Sequence, residues 1–260
     1  MNTDRLCLCT AFALTAMALA APVFASCAAQ SGTKTAALIE LYTSEGCSSC
    51  PPAERQFSSV RQEVGPAAEV VPLALHVDYW DYIGWKDPYA KSAFGDRQSW
   101  LVRTNQRKTV YTPQFFVGGA EPLSQSDGLR ARVRQINALP AVASIRMQAN
   151  PTVGGALALS VEATVPTSES QAVLYLALSE NGLVSKVTRG ENSGATLVHD
   201  HVVRAWIGPI RLAGGTTRLR RDIDLAADWN RARLNLSLFV QDERSGNVLQ
   251  ALAAPHCADS

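Results

Sequence analysis

Glu40-Leu41-Tyr42-Thr43-Ser44-Glu45-Gly46-Cys47-Ser48-Ser49-Cys50-Pro51-Pro52 is the stretch on which the reading of this chain turns. An apolar run from Ala36 to Leu41 leads into a polar turn containing Gly46, and two cysteines follow, separated by two serines. Beyond them Phe57, Val60 and Val64 recur at helical spacing, which predicts a helix over 53–64. Strand, turn, CxxC and helix together describe a redox dithiol site. Cys47 is expected at the start of the helix, where unpaired N–H groups and the positive dipole end favour a thiolate. A thiolate attacks disulfides and a thiol does not. Cys50, one turn on, then resolves the mixed disulfide. A static disulfide and half of a metal site stay open as alternatives, although no second CxxC supplies the other ligands.

Working outward, Val70 to Val77 reads as a second buried strand, and strand–helix–strand implies a right-handed parallel crossover. Ligands bind beyond the C-terminal ends of such strands. His76, Asp78, Tyr79, Trp80 and Trp85 are therefore the expected substrate contacts, against the alternative of a packed aromatic loop. Residues 89–106 read as an inserted helix. Thr112-Pro113 then precedes an apolar strand closed by Gly118-Gly119. In thioredoxin-like folds a cis-proline at this place faces the cysteines and the residue before it pairs with a bound chain, so Thr112 and Pro113 are expected to position a partner, against the alternative of an ordinary trans proline at a strand entry. Glu40 is either a solvent-facing edge residue or a buried acid that manages the proton of the resolving thiol. Residues 124–139 form the closing helix of this part, ended by Pro140.

From about 142 onward, short alternating apolar runs are separated by turns such as Asn150-Pro151 and Asn181-Gly182. That pattern predicts an antiparallel sandwich. The expected fold class is an α/β thioredoxin-like domain over 36–141 followed by a β-sandwich-like domain over 142–256. Within the second part, Gly190-Glu191-Asn192 and His199-Asp200-His201 stand out. Alternation places His199 and His201 on one strand face, which is two metal ligands at most, so a structural or partner-binding surface is the reading there and no metal is assigned.

The 260 residues carry a net charge of +1, with 47% hydrophobic and 18% charged residues. No basic run points to nucleic acid. Residues 1–25 read as a signal peptide, with an apolar core from Leu6 to Ala21 and cleavage before Ser26; 26–35 form a flexible lead. The expected location is periplasmic or secreted, where disulfides persist. Cys27 and Cys257 could pair and tie the ends together. Phe24-Ala25-Ser26-Cys27 also loosely fits a lipid-attachment site, and membrane contact is expected only if Cys27 carries a lipid.

The opening stretch, with His76-Val77-Asp78-Tyr79-Trp80, Gly84-Trp85-Lys86-Asp87-Pro88 and Tyr111-Thr112-Pro113-Gln114, resembles the DUF1223 family. The resemblance covers roughly 36–254. It implies a secreted bacterial protein with a thioredoxin-like part, in a family of unknown activity. The combined expectation is a thiol–disulfide oxidoreductase without a cofactor, acting on protein thiols or disulfides or on small thiols. A binding protein with a structural Cys47–Cys50 bond is the alternative, and a copper-binding accessory protein using the thiolates and His76 is the other.

Overall fold

The computed structural model describes residues 27–122, 126–152, 154–169 and 171–255. The expected signal segment and Cys257 lie outside the described residues. Among those described, no helix is long and apolar enough to cross a membrane.

In chain order, β1 (Cys27–Gln30), β2 (Ala37–Thr43), α1 (Cys50–Ser58), α2 (Val60–Val64), β3 (Val70–His76), α3 (Ser92–Thr104), β4 (Gln114–Val117) and α4 (Ser126–Ala138) come first. Apart from a 3-10 turn at Arg231–Arg233, the elements that follow are strands: β5 (Ser144–Pro151), β6 (Ala156–Val165), β7 (Ala172–Glu180), β8 (Leu183–Lys186), β9 (Thr196–His199), β10 (Val202–Arg211), β11 (Gly215–Asp224), β12 (Leu234–Asp242) and β13 (Val248–Pro255). They build a four-stranded sheet, β1-β5-β6-β11, a seven-stranded sheet, β13-β12-β7-β10-β3-β2-β4, and the hairpin β8-β9.

This corrects the expected fold class. The chain is mainly β, and no thioredoxin-like α/β unit stands in series with a separate sandwich. The β2, β3 and β4 strands are the edge of a sheet whose other four strands come from the second half of the chain. The reason lies in β3. It is buried on both faces and pairs with β2 on one side, so its other edge also needs a partner. The start of β10 supplies it: Val202 pairs in parallel with Ala74, and Ala74 N donates to His201 O at 2.8 Å. A reading by chain order treats each half as closed on itself and misses this join. The expected flexible lead is corrected too, since β1 pairs antiparallel with β5 from Cys27↔Ala149 to Gln30↔Arg146.

Side-chain alternation assigns the layers. On β2, Ala37, Ile39 and Leu41 face Ala53, Phe57, Val60, Leu129 and Val133 of α1, α2 and α4. Leu38 and Tyr42 face Phe94 and Leu101 of α3 on the other side, in a cluster that also takes Tyr175 of β7 and Phe239 of β12. Further along the same sheet, Leu174, Leu176 and Leu178 of β7 pack against Ile145, Met147, Leu157 and Leu159 of the four-stranded sheet. The large sheet is thus covered on both faces along its length, which explains its unbroken apolar runs.

Candidate functional site

The end of β2 sets the site. After Thr43 the chain leaves the sheet and turns tightly: Cys47 N donates to Ser44 O, and Cys50 N donates to Cys47 O, both at 3.2 Å. Cys47 and Cys50 are joined by a disulfide with a Cα–Cα distance of 5.4 Å. The helix α1 begins at Cys50, with prolines in its first turn, where the missing N–H groups cost nothing. Cys50, and not Cys47, is therefore the first helical residue. Cys47 is 1% exposed and Cys50 fully buried, while Ser48 and Ser49 between them are exposed.

Two elements close over Cys47. On one side Thr112 O lies 3.7 Å from Cys47 Sγ, and the Thr112–Pro113 bond is cis. Trp80 braces this corner, donating its indole N–H to Thr112 Oγ1 at 2.7 Å while its Cβ packs beside Gly46. On the other side sits the segment joining β8 to β9. Asn192 Nδ2 donates to the carbonyls of Glu45 and Cys47 at 2.8 and 3.0 Å, and the Glu191 carboxylate accepts the Ser48 N–H at 3.0 Å.

Beneath the turn lies a buried polar cluster. His199, from the end of β9, meets Glu54 of α1 through Nδ1 at 2.5 Å and Glu45 of the turn through Nε2 at 3.0 Å. His76, at the end of β3, contacts Asp87 Oδ2 through Nδ1 at 2.7 Å. That same carboxylate oxygen accepts the Glu45 N–H, and Trp85 Nε1 donates to Glu45 Oε2 at 2.7 Å. Thr43 Oγ1 donates to the remaining Glu54 oxygen. All five titratable groups are under 9% exposed. Burial pushes the His199 imidazolium towards deprotonation, but the Glu45 and Glu54 carboxylates together outweigh it and hold its pKa at about 10. Burial likewise opposes charge on Glu54, yet the His199 hydrogen bond and the two imidazoles hold its carboxyl below the usual range. For His76 burial is outweighed by Asp87, so its pKa is raised and that of Asp87 lowered. The His76 and His199 rings stand edge to face at 5.1 Å. His76 Nε2 is buried without a hydrogen-bond partner.

The sequence-expected residues divide accordingly. Cys47, Cys50, Thr112, Trp80 and Trp85 converge on the turn. His76 lies in the cluster below it. Tyr79 is partly exposed and donates to Gln98 Oε1, with Asp78 nearby beside Gly95. Glu40 is placed elsewhere. It sits on the β2 face opposite α1, where Arg97 grips it through Nε at 2.6 Å and Nη2 at 3.1 Å. The proton role expected for it falls with that placement, because alternation turns it towards α3. His199 and His201 do not share a strand face either. The chain bends at Asp200, and His201 takes φ 61°. The ring of His201 packs edge-on to Phe57 at 5.5 Å, and burial holds its pKa down at about 4. Cys27 is disulfide-bonded, and its expected partner Cys257 is outside the described residues.

Sequence reasoning missed Glu54, Asp87, Glu191 and Asn192 as site residues. Glu54 follows Cys50 by one helical turn on the same face, a signal that was present. Asp87 lies inside the aromatic stretch already singled out. Glu191 and Asn192 lie in a stretch that stands out in the sequence, but nothing local shows that they reach across to the dithiol turn from the other half of the chain.

A family model described as a protein of unknown function, DUF1223, matches residues 38–241. Protein AGR_C_4864 from Agrobacterium tumefaciens is a solved structure similar to this chain, with TM-score 0.61 and 21% identity over 86% of this chain and 95% of that one. HBP35 of Porphyromonas gingivalis is another, with TM-score 0.65 and 15% identity over 86% of this chain and 76% of that one. At those identities the likeness is one of fold. No curated protein matches the chain. The family match runs from β2 through the dithiol turn, the Thr112-Pro113 corner and the β8–β9 segment into β12, so the whole site lies inside it, and the chain belongs to the DUF1223 family.

Proposed function

We propose that this chain is a thiol–disulfide exchange protein of an oxidising, extracytoplasmic compartment, with Cys47–Cys50 as the exchanging pair. The observation that carries the reading is the seat of Cys47: its Sγ is 3.7 Å from Thr112 O, at a turn whose middle residues are exposed. The partner is a protein dithiol or a small thiol. In the direction that starts from the oxidised pair, a partner thiolate attacks Cys47 Sγ, the Cys47–Cys50 bond breaks, and Cys50 leaves as a thiolate. The partner's second thiolate, or for a small thiol the thiolate of a second molecule, then attacks the partner sulfur of the mixed disulfide and releases Cys47 as a thiolate. Two electrons and two protons pass from partner to pair, and the partner ends as a disulfide. Attack requires the 187–195 segment to lift, which breaks the contacts of Asn192 and Glu191.

The sealing of Cys47 favours a second reading, in which the bond staples the turn and holds Glu45 and Glu54 in place. Two measurements separate them. Under native conditions with dithiothreitol, the exchange reading expects reduction well before unfolding and a potential between about −120 and −270 mV. It also expects Cys50→Ser to trap mixed disulfides through Cys47. A bond that resists reduction until the protein unfolds, with a potential below about −300 mV, establishes the staple and ends the exchange reading.

A further inference from the structure

We propose that Glu54, His76 and His199 form a buried site for one divalent transition-metal cation of the zinc type. One donor atom from each of the three residues lies within 4.8 Å of the others. The pattern of commitments around them points to a cation. Each imidazole gives one nitrogen to an outer carboxylate: His76 Nδ1 to Asp87 at 2.7 Å, and His199 Nε2 to Glu45 at 3.0 Å. That is how metal-bound histidines are oriented by their surroundings. The nitrogens left over are His76 Nε2, buried and without a partner, and His199 Nδ1, set against Glu54 Oε2. Glu54 is oriented in the same way, since Thr43 holds its other oxygen. Two carboxylates outside the donor set, Glu45 and Asp87, are buried beside it and add attraction for a cation.

The donor chemistry selects the ion. Two imidazole nitrogens and one carboxylate oxygen suit zinc and its neighbours, whereas calcium and magnesium take oxygen donors. Tetrahedral donors at zinc stand roughly 3.3 Å apart, given bonds of about 2.0–2.1 Å. The His199 Nδ1 to Glu54 Oε2 separation of 2.5 Å therefore opens by about 0.8 Å on binding, a shift within reach of a carboxylate side chain. The site contains no thiolate, so it is distinct from a copper site at the cysteines, and it does not rest on the exchange reading above.

The test uses the oxidised protein, treated with chelator, desalted, and incubated with Zn2+ or Co2+. One Zn2+ per chain is expected by elemental analysis after gel filtration. Bound Co2+ is expected to show the visible bands of nitrogen and oxygen donors without a thiolate charge-transfer band. Asp87→Asn is expected to weaken Zn2+ binding about 10–100-fold, and His76→Gln or Glu54→Gln more than about 100-fold. His201→Gln is expected to bind as the parent does. The proposal is overturned by substoichiometric Zn2+ on the parent, by undiminished binding in folded His76→Gln, or by a thiolate band with Co2+. If His76→Gln does not fold by circular dichroism, the parent's stoichiometry and cobalt spectrum with the Asp87→Asn affinity decide.

Discussion

Two buried ionic sites flank β2, one on each face, and they are built on opposite principles. On the α3 face a single carboxylate, Glu40, meets a single guanidinium, Arg97. Tyr42 OH donates to Glu40 at 3.1 Å, and Gln241 accepts from Arg97 at 3.0 Å. The rest of the guanidinium is enclosed by rings, with Tyr175, Trp206 and Phe239 at 4.7–5.1 Å. Burial disfavours the Arg97 charge, but Glu40 more than compensates and leaves it above the usual arginine range. On the α1 side, three carboxylates face two imidazoles, and one imidazole nitrogen has no partner. Balanced charge held by rings is the arrangement of a structural pair. Each site leaves one buried nitrogen without a hydrogen-bond partner, but a guanidinium Nη1 cannot accept a cation whereas an imidazole nitrogen can. Excess carboxylate around such a nitrogen beside a disulfide is the arrangement of a site that takes something up.

The sharpest way to break this contrast is to remove Arg97. Arg97→Met leaves Glu40 buried and uncompensated and is expected to cost about 3–5 kcal/mol. Adding Glu40→Leu is expected to recover most of that loss, because an apolar pair of similar volume serves a structural role. Urea unfolding monitored by circular dichroism reads both. A double variant no more stable than Arg97→Met would remove the distinction between the two sites.

That contrast also shows what the sequence discloses. The dithiol turn, the two strands beside it and the Thr112-Pro113 corner follow from local patterns, and the structure brings Thr112 O to 3.7 Å from Cys47 Sγ. The face of Glu40 is also legible relative to the cysteine helix: Ile39, Leu41 and Thr43 alternate towards α1, so Glu40 points away from it. The convergence of His199 on Glu54 was not, because 145 residues separate them. That distance is closed only when β10 pairs with β3, a long-range choice that no local period encodes. The same pairing overturns the two-unit fold. Both halves read as self-sufficient along the chain, and only the unmet edge of β3 says otherwise.

A smaller effect tests what covers the site. Asn192 makes two hydrogen bonds to the carbonyls of the dithiol turn. Asn192→Ala is expected to destabilise the closed segment by about 1–2 kcal/mol. If reduction proceeds through opening of that segment, the rate with dithiothreitol rises about 5–30-fold while the global unfolding midpoint moves little. The same rate in parent and variant would mean that the β8–β9 segment does not gate Cys47. The opposite face offers the control, since Arg97→Met is expected to change stability without changing reduction in this way.

The smallest effect, per pH unit, is the response to protons, and here His199 and His201 oppose each other. His199 is held at about 10 in the folded protein, against about 6.5 when free. Between those values the folded state holds more protons, so stability falls as pH rises through the window. His201 is held at about 4, so between 4 and 6.5 the unfolded state holds more protons and stability falls as pH drops. Lowered Glu54 and Asp87 act on the acid side too, contributing stability that is lost as they protonate. Each proton contributes at most about 1.4 kcal/mol per pH unit to its limb. Urea midpoints between pH 4 and 9, with chelator present, are expected to peak near neutrality. His199→Gln is expected to shallow the alkaline limb to the share that His76 carries, and His201→Gln to shallow the acid one. His76 is raised as well and adds to the same limb, so an alkaline limb that survives His199→Gln and His76→Gln together would place the titrating group outside the cluster, and the contrast between the two faces of β2 would then rest on geometry without a matching charge response.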